Sequence, residues 1–405
     1  MTEVRTPAES DLRYDPYDFE IDTDPYPVFK RLRDEQPLYY NDEHKFYALS
    51  RFTDVDAALA DWRTYISSRG TVLDLLKMDF VFPPGSIIFE DPPLHDAHRA
   101  LLSRVFRPKD IAALEPRIRE FCALSLDPLV GGNGFDFITD FGAQMPMRTI
   151  SLLMGIPDSE QEKVREIVNA GLTLGEDGST ANTFTEVALA AQQELFNDFV
   201  ARREANPGDD LTSELLSIEF EDDNGVTRRL TREEVVNYAL LLAGAGNETT
   251  TRLIGWAGKL LAEHPDQLAE LAANPALIPN AIEEILRYEP PSPVQGRYVT
   301  SDVEHYGTKV PAGSIMLLIN GSANRDERKF DDPDRFDIHR HIERHVSFGY
   351  GVHFCMGAAL ARLEGRVALE EVLKRFPSWR VDYANAKQAR TSSVRGWERM
   401  PVVVS

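Results

Sequence analysis

Apolar positions recur mostly at helical spacing along the chain, with a few short strand-like runs between. Residues 25–36 place Tyr26, Phe29 and Leu32 on one face of a first helix. Leu38-Tyr39-Tyr40 and Phe46-Tyr47-Ala48-Leu49 flank the turn Asn41-Asp42-Glu43 as a hairpin, and residues 52–65 return to helical spacing. Helical patterns fill most of residues 110–204. They are interrupted by the strand-like Phe135-Asp136-Phe137-Ile138 and by a Gly- and Ser-bearing break over residues 172–183, which reads as a flexible linker. Thr231-Arg232-Glu233-Glu234 has capping-box form and opens a helix that can run to His264, before Pro265. At 1.5 Å per residue it would span about 50 Å and cross the whole molecule. Short strands and turns follow over residues 288–320. No Ser/Gly linker, low-complexity tract or repeat divides the sequence. The expectation is a mainly α fold with a smaller β-rich lobe: a flexible tail over residues 1–12, then a single domain over 13–405.

Three stretches break the pattern. Residues 67–93 lack periodicity yet carry Val72, Leu73, Leu75, Leu76, Ile87, Ile88 and Phe89, which argues for an ordered loop covering a pocket. The middle of the long helix reads Leu241-Leu242-Ala243-Gly244-Ala245-Gly246-Asn247-Glu248-Thr249-Thr250. Polar and acidic groups there cost free energy unless paired, so this cluster is a candidate site. The third is Phe348-Gly349-Tyr350-Gly351-Val352-His353-Phe354-Cys355-Met356-Gly357, with one of only 2 cysteines. A metal-binding thiolate needs nearby N–H groups or a helix N-terminus, and the helix predicted from Gly357 onward supplies both. A buried structural cysteine is the alternative, and Cys122, beside Ile118 and Phe121, is read that way. His353 and Cys355 alone are no zinc set, and a Cys-His nucleophile has no need of the preceding glycines.

Composition narrows the partners. Lys plus Arg total 44 against 66 Asp plus Glu, a formal net charge of -22, which disfavours nucleic acid. The start of the chain has no apolar leader, and the longest apolar run, near residues 238–245, falls far short of a bilayer. A cytoplasmic protein with no membrane span is expected.

Phe348, Gly351, Cys355 and Gly357 stand at the fixed positions of a loop that resembles the haem-binding loop of the cytochrome P-450 family. The chain is similar to its soluble bacterial, actinobacterial-type members, which are haem-thiolate monooxygenases. The resemblance implies haem b with Cys355 as proximal iron ligand, Phe348, Gly349 and Gly357 forming the cofactor loop, and His95, Arg99, Arg297 and His353 binding propionates. Ala245 and Gly246 would form the oxygen groove beside the cofactor, with Thr249 and Glu248 as the catalytic alcohol and acid that deliver protons. Ile88, Leu241, Leu242, Ala245, Pro293, Val294 and Val394 would face substrate, and Glu284, Arg287 and Arg335 would form a buried structural charge network. The implied reaction inserts one atom of O2 into a lipophilic molecule such as a fatty acid, isoprenoid or steroid-like lipid. Electrons would come from NAD(P)H through a ferredoxin reductase and ferredoxin. A tailoring oxidase of an aromatic natural product, a peroxide-driven oxidase and a non-catalytic haem protein stand as alternatives. A monomer is expected. Arg104, Arg107, Arg340, Arg344, Arg362 and Arg366, near the cysteine loop, would form a basic face for an acidic electron carrier.

Overall fold

A helix of 32 residues, Arg232–Glu263, runs through the molecule; it is called the central helix below. Its start is the predicted capping box, in which Thr231 accepts from the Glu234 amide and Glu234 accepts from that of Thr231. The structure is a computed structural model and describes residues 11–404 except 79–80, 105, 171–185, 223 and 392–393. The linker expected over residues 172–183 lies outside the described residues. Among the described residues no helix is long and apolar enough to cross a membrane.

The central helix has two apolar ends that serve two cores. Leu253, Ile254, Trp256, Ala257, Leu260 and Leu261 pack with Phe137, Phe141, Ile282, Ile285 and Val367. Val235, Val236, Tyr238, Ala239 and Ala243 pack with Ile87, Leu101, Leu102, Ile150 and Val200. Burying side chains of this size contributes about 1.5–3 kcal/mol each, so both ends are fixed and the polar middle is held between them.

The β-rich lobe is a five-stranded sheet of β1 (Leu38–Asn41), β2 (Phe46–Leu49), β3 (Tyr65–Ile66), β4 (Gln295–Val299) and β5 (Ile315–Leu318), ordered β1-β2-β5-β4-β3. Only β2 and β5 run parallel; the pairing of Met316 with Arg297 sets Arg297 in the sheet. The helix expected over 52–65 ends at Ala60, leaving Tyr65 free to join β4. Leu12 and Tyr14 are buried against Phe29 and Phe46, so the packed chain begins within the expected tail. The strand-like Phe135 to Ile138 splits into a strand, Gly134–Asp136, and a π-helical turn, Phe137–Gly142, because the Asp136 carboxylate caps the amides of Ile138 and Thr139. The loop over 67–93 gains two short helices, Leu73–Lys77 and Ile87–Phe89.

The buried charge network exists with a different third member. Arg287, fully buried, grips Glu284 bidentately at 2.7 and 2.8 Å and donates to the carbonyls of Asn324 and Pro333. Glu284 Oε1 also accepts from Arg340 Nε at 3.2 Å and from the Asp337 amide at 3.0 Å. The expected partner Arg335 instead lies at the rim, its side chain 64% exposed, paired with Asp332 and Asp337. The chain turns at Asp332 (φ 45°), and Arg340 then reaches back to the carbonyls of Asp331, Asp332 and Arg335. Replacing Arg287 by Ala strands Glu284 in the core and is expected to lower unfolding free energy by about 3–5 kcal/mol. Arg335→Ala should change it by less than about 0.5 kcal/mol. Urea denaturation of both variants checks this.

Candidate active site

The cysteine loop is a set of tight turns feeding the helix Ala358–Arg375. Gly351 (φ 71°) passes so close to the helix Phe52–Ala60 that a Cβ there would sit 2.8 Å from the Leu59 carbonyl oxygen, which excludes any side chain. Gly349 turns left-handed with its amide on Val346, and the Cys355 amide donates to Phe348 O at 2.9 Å. Phe348 packs against the first core under the Arg362 guanidinium. Gly357 is the N-cap, and the amides of Gly357 and Ala358 point at the sulfur. Enclosure by protein pushes the thiol up, while those amides, Arg99 and Arg362 pull it down. Yet Cys355 is accessible, whereas Cys122 is fully buried with its thiol pushed up by burial. A sulfur both enclosed and accessible faces an internal space.

Four cationic or basic groups surround that space. Arg297 is 3% exposed and donates only to Gly296 O (2.7 Å) and Gln295 Oε1 (3.2 Å). No carboxylate pairs with it among the described residues, and burial pushes it down to about 10. His95 and His353 stand with ring centres 4.4 Å apart, both imidazoles pushed down by burial. His353 Nε2 has no hydrogen-bond partner and lies 3.8 Å from Asp91 Oδ1. Arg99 reaches over the loop to Phe354 O at 2.6 Å. A buried guanidinium without a counter-charge is costly, and an anion beside Arg297 would offset that cost. Haem would fit here: Arg297, His353, His95 and Arg99 would hold its propionates and Cys355 its iron. The four residues expected to bind propionates lie near one another on this side of the cysteine loop.

Across the space, Ala245 is exposed in the middle of the central helix, and Thr249 Oγ1 donates to Ala245 O at 2.8 Å. Gly246 packs on the neighbouring helix, where a Cβ would meet Ile150 Cδ1 at 3.1 Å. Glu248 is buried and paired with Arg252 at 2.5 Å. The substrate-facing set divides. Pro293, Val294 and Val394 line one cleft with Thr71 and Val72, while Leu241, Leu242, Ala245 and Ile88 are not on it. Leu241 and Leu242 are half-buried on the face of Ala245, and Ile88 is 39% exposed.

The expected basic face is mostly neutralised. Arg344 pairs with Asp56, Arg362 with Glu283, Arg366 with Glu115 and Glu370, Arg107 with Asp110 and Arg340 with Glu284. Only Arg104 of that group has no carboxylate partner among the described residues. The sequence reading also missed Arg252, which the i, i+4 spacing from Glu248 signals, and Glu364. The latter is buried, pushed up to about 8 by desolvation, beside the hydroxyls of Thr149 and Thr250.

An enclosed thiol at a helix N-terminus, with the buried Arg297 and two imidazoles grouped near it, is the arrangement of a haem-thiolate protein. The Cytochrome P450 family model matches residues 34–390, and the chain belongs to the cytochrome P450 family. It is 40% identical over 402 residues to putative cytochrome P450 123 of Mycobacterium tuberculosis, covering 98% of each chain. It is 37% identical over 317 residues to the 6-deoxyerythronolide B hydroxylase of Saccharopolyspora erythraea, covering 77% of this chain and 76% of that one. A mutant of P450 EryK in complex with erythromycin B superposes with a TM-score of 0.85 at 34% identity, over 95% of this chain and 96% of that one. The protein is a cytochrome P450 monooxygenase.

Glu364 yields a pH prediction. Its folded-state pKa stands above the unfolded value, so the protein favours the neutral form. Stability from this group is full at or below about pH 4.5 and is lost as pH rises through about 8. Glu364→Gln keeps the neutral shape and should gain on the parent protein as pH rises over that window. The gain should reach the order of a few kcal/mol at its top, read by urea denaturation from pH 5 to 8.5.

Proposed function

We propose that residues 13–405 act as one haem b domain that inserts one atom of O2 into a lipophilic molecule, with electrons from NAD(P)H delivered through a ferredoxin reductase and ferredoxin. The observation that carries this reading is the accessible Cys355, set among amide donors and near the buried Arg297, which pairs with no carboxylate among the described residues. When bound, haem supplies the oxygen activation that the side chains of this chain cannot perform.

The residues have separable tasks. Cys355 ligates iron, and Arg297, His353, His95 and Arg99 hold the propionates. Thr249 Oγ1, donating to Ala245 O, keeps a hydroxyl at the edge of the space where it accepts and passes a proton. Glu248, one residue earlier, points about 100° away around the helix, so its carboxyl reaches Thr249 through rotation or water and not directly. Leu241, Leu242 and Ala245 present an apolar face that excludes water and favours a lipophilic substrate. Fatty acids, isoprenoids and steroid-like lipids fit this chemistry. The macrolides named for two similar proteins extend the size range that belongs in a screen. Arg104, with the exposed rings of Tyr350 and Phe354 on the cysteine loop, offers the electron carrier a small contact face. The protein works as a cytoplasmic monomer in this reading.

Reduced protein under carbon monoxide should give the red-shifted Soret band of thiolate-ligated haem, and Cys355→His should abolish that band. Protein that binds haem but gives the shorter-wavelength band would exclude thiolate ligation. Arg297→Met should lower haem retained per polypeptide without changing the band position. For the chemistry, Thr249→Ala should lower product per NAD(P)H consumed by about tenfold or more on whichever screened lipophile gives a spin-state shift. Unchanged coupling would exclude Thr249 from proton delivery.

A further inference from the structure

We propose that Arg252 is a positioning residue for Glu248: one side of its guanidinium aims the carboxylate, and the other ties it to the C-terminal hairpin whose Val394 lines the cleft. This rests on the reading of Glu248 as the proton donor.

Arg252 is 6% exposed and forks between two elements. Nη2 donates to Glu248 Oε2 at 2.5 Å, and Nη1 donates to the carbonyl of Trp397. Arg252 is the only cation paired with Glu248 among the described residues. Oε2 is committed to that contact, which leaves Oε1 to take up a proton and hand it on. The fork requires a planar guanidinium, since an ammonium is a point charge that cannot hold both partners in one fixed geometry.

The hairpin is built around this contact. A Cβ at Gly396 would lie 2.7 Å from Arg252 Cδ, so the backbone rests directly on the arginine stem. One turn further along, Trp256 Nε1 donates to Arg395 O at 3.0 Å. Glu248, Arg252 and Trp256, at i, i+4 and i+8, thus form one stripe facing residues 395–397. Arg395 is itself fixed, by Glu289 at 2.5 Å and the Asp22 and Thr23 carbonyls. Next to it Val394 lines the cleft with Pro293 and Val294. The cleft wall and the acid are therefore joined through one side chain.

The test uses the haem-loaded full chain with a surrogate ferredoxin and reductase, turning over a screened lipophile that shifts the spin state and is oxidised by the parent, in Arg252→Gln, Arg252→Lys, Glu248→Gln and the Glu248→Gln/Arg252→Gln double variant. The carbon monoxide spectrum first confirms an intact thiolate in each. Hydrogen peroxide released per NADPH consumed should rise at least twofold in Arg252→Gln and in Glu248→Gln, with the larger rise in Glu248→Gln. The double variant should match Glu248→Gln alone, because Arg252 acts through Glu248. The solvent deuterium isotope effect on NADPH consumption should shift in the same order, and Arg252→Lys should fall between parent and Gln. Separately, backbone hydrogen exchange across residues 394–400 of the oxidised protein should quicken severalfold in Arg252→Gln and not in Glu248→Gln. Additive effects in the double variant, or parental peroxide release in Arg252→Gln beside an altered Glu248→Gln, overturn the assignment and leave the proton-donor reading standing. Unchanged exchange overturns the tie to the hairpin. Parental behaviour of Glu248→Gln overturns the proton-donor reading and this inference together.

Discussion

The structure depends on keeping an enclosed space open beside Cys355 in an interior that otherwise closes up. Close packing is the default of a protein core, and atoms lining a gap forfeit dispersion contacts. Keeping the gap requires walls that cannot collapse. The central helix supplies one wall, because its two apolar ends are anchored in separate cores and the segment between them cannot slide inward. The cysteine loop supplies the other, held by the Phe348 carbonyl and by a glycine pressed on the Leu59 backbone. Behind that loop the bidentate Glu284–Arg287 pair, locked by Arg340, fixes the chain that leads into it. A buried pair of this kind adds little net stability against apolar side chains of the same volume; its value here is a single geometry.

The same space explains the unsatisfied groups. Arg297, sequestered in the sheet, and His353, with an unpartnered Nε2, would be liabilities in a protein folded for stability alone. They lie on the same side of the cysteine loop, where the proposed cofactor would give both a partner. Arg252 differs in having an internal carboxylate: its two terminal nitrogens meet Glu248 and the Trp397 carbonyl, and only its Nε lacks a partner.

Features set by neighbours in sequence were legible before the fold was known. The capping box at Thr231, the glycine turns before Cys355 and the one-turn spacing of His95 and Arg99 all use contacts within a few residues, where pattern and geometry coincide. What escaped depends on chain returns. Arg335 has the expected place in sequence, but the left-handed turn at Asp332 carries it outward and brings Arg340 inward. Gly246 stands inside the motif, yet a rotation of about 100° from Ala245 sends it toward Ile150. The substrate-facing residues fall on a cleft and a helix face that no spacing rule joins.

Charge is where sequence counting misleads most. Six arginines near the cysteine loop suggested a basic face in a chain of net charge -22. In the fold Arg362 meets Glu283, 79 residues away, and Arg344 meets Asp56, 288 away. An arginine already paired with a carboxylate offers an approaching partner little net field, and at physiological salt what remains is screened within about 8 Å. Long-range attraction of an acidic carrier is therefore weak at this face. In the reading that a carrier docks here, recognition would come from short-range contact instead: Arg104, which has no carboxylate partner among the described residues, and the exposed Tyr350 and Phe354, the second adjoining Cys355. On that reading, a face of this kind would favour brief encounters, with electron delivery limited by orientation once the carrier has arrived and not by its capture from a distance.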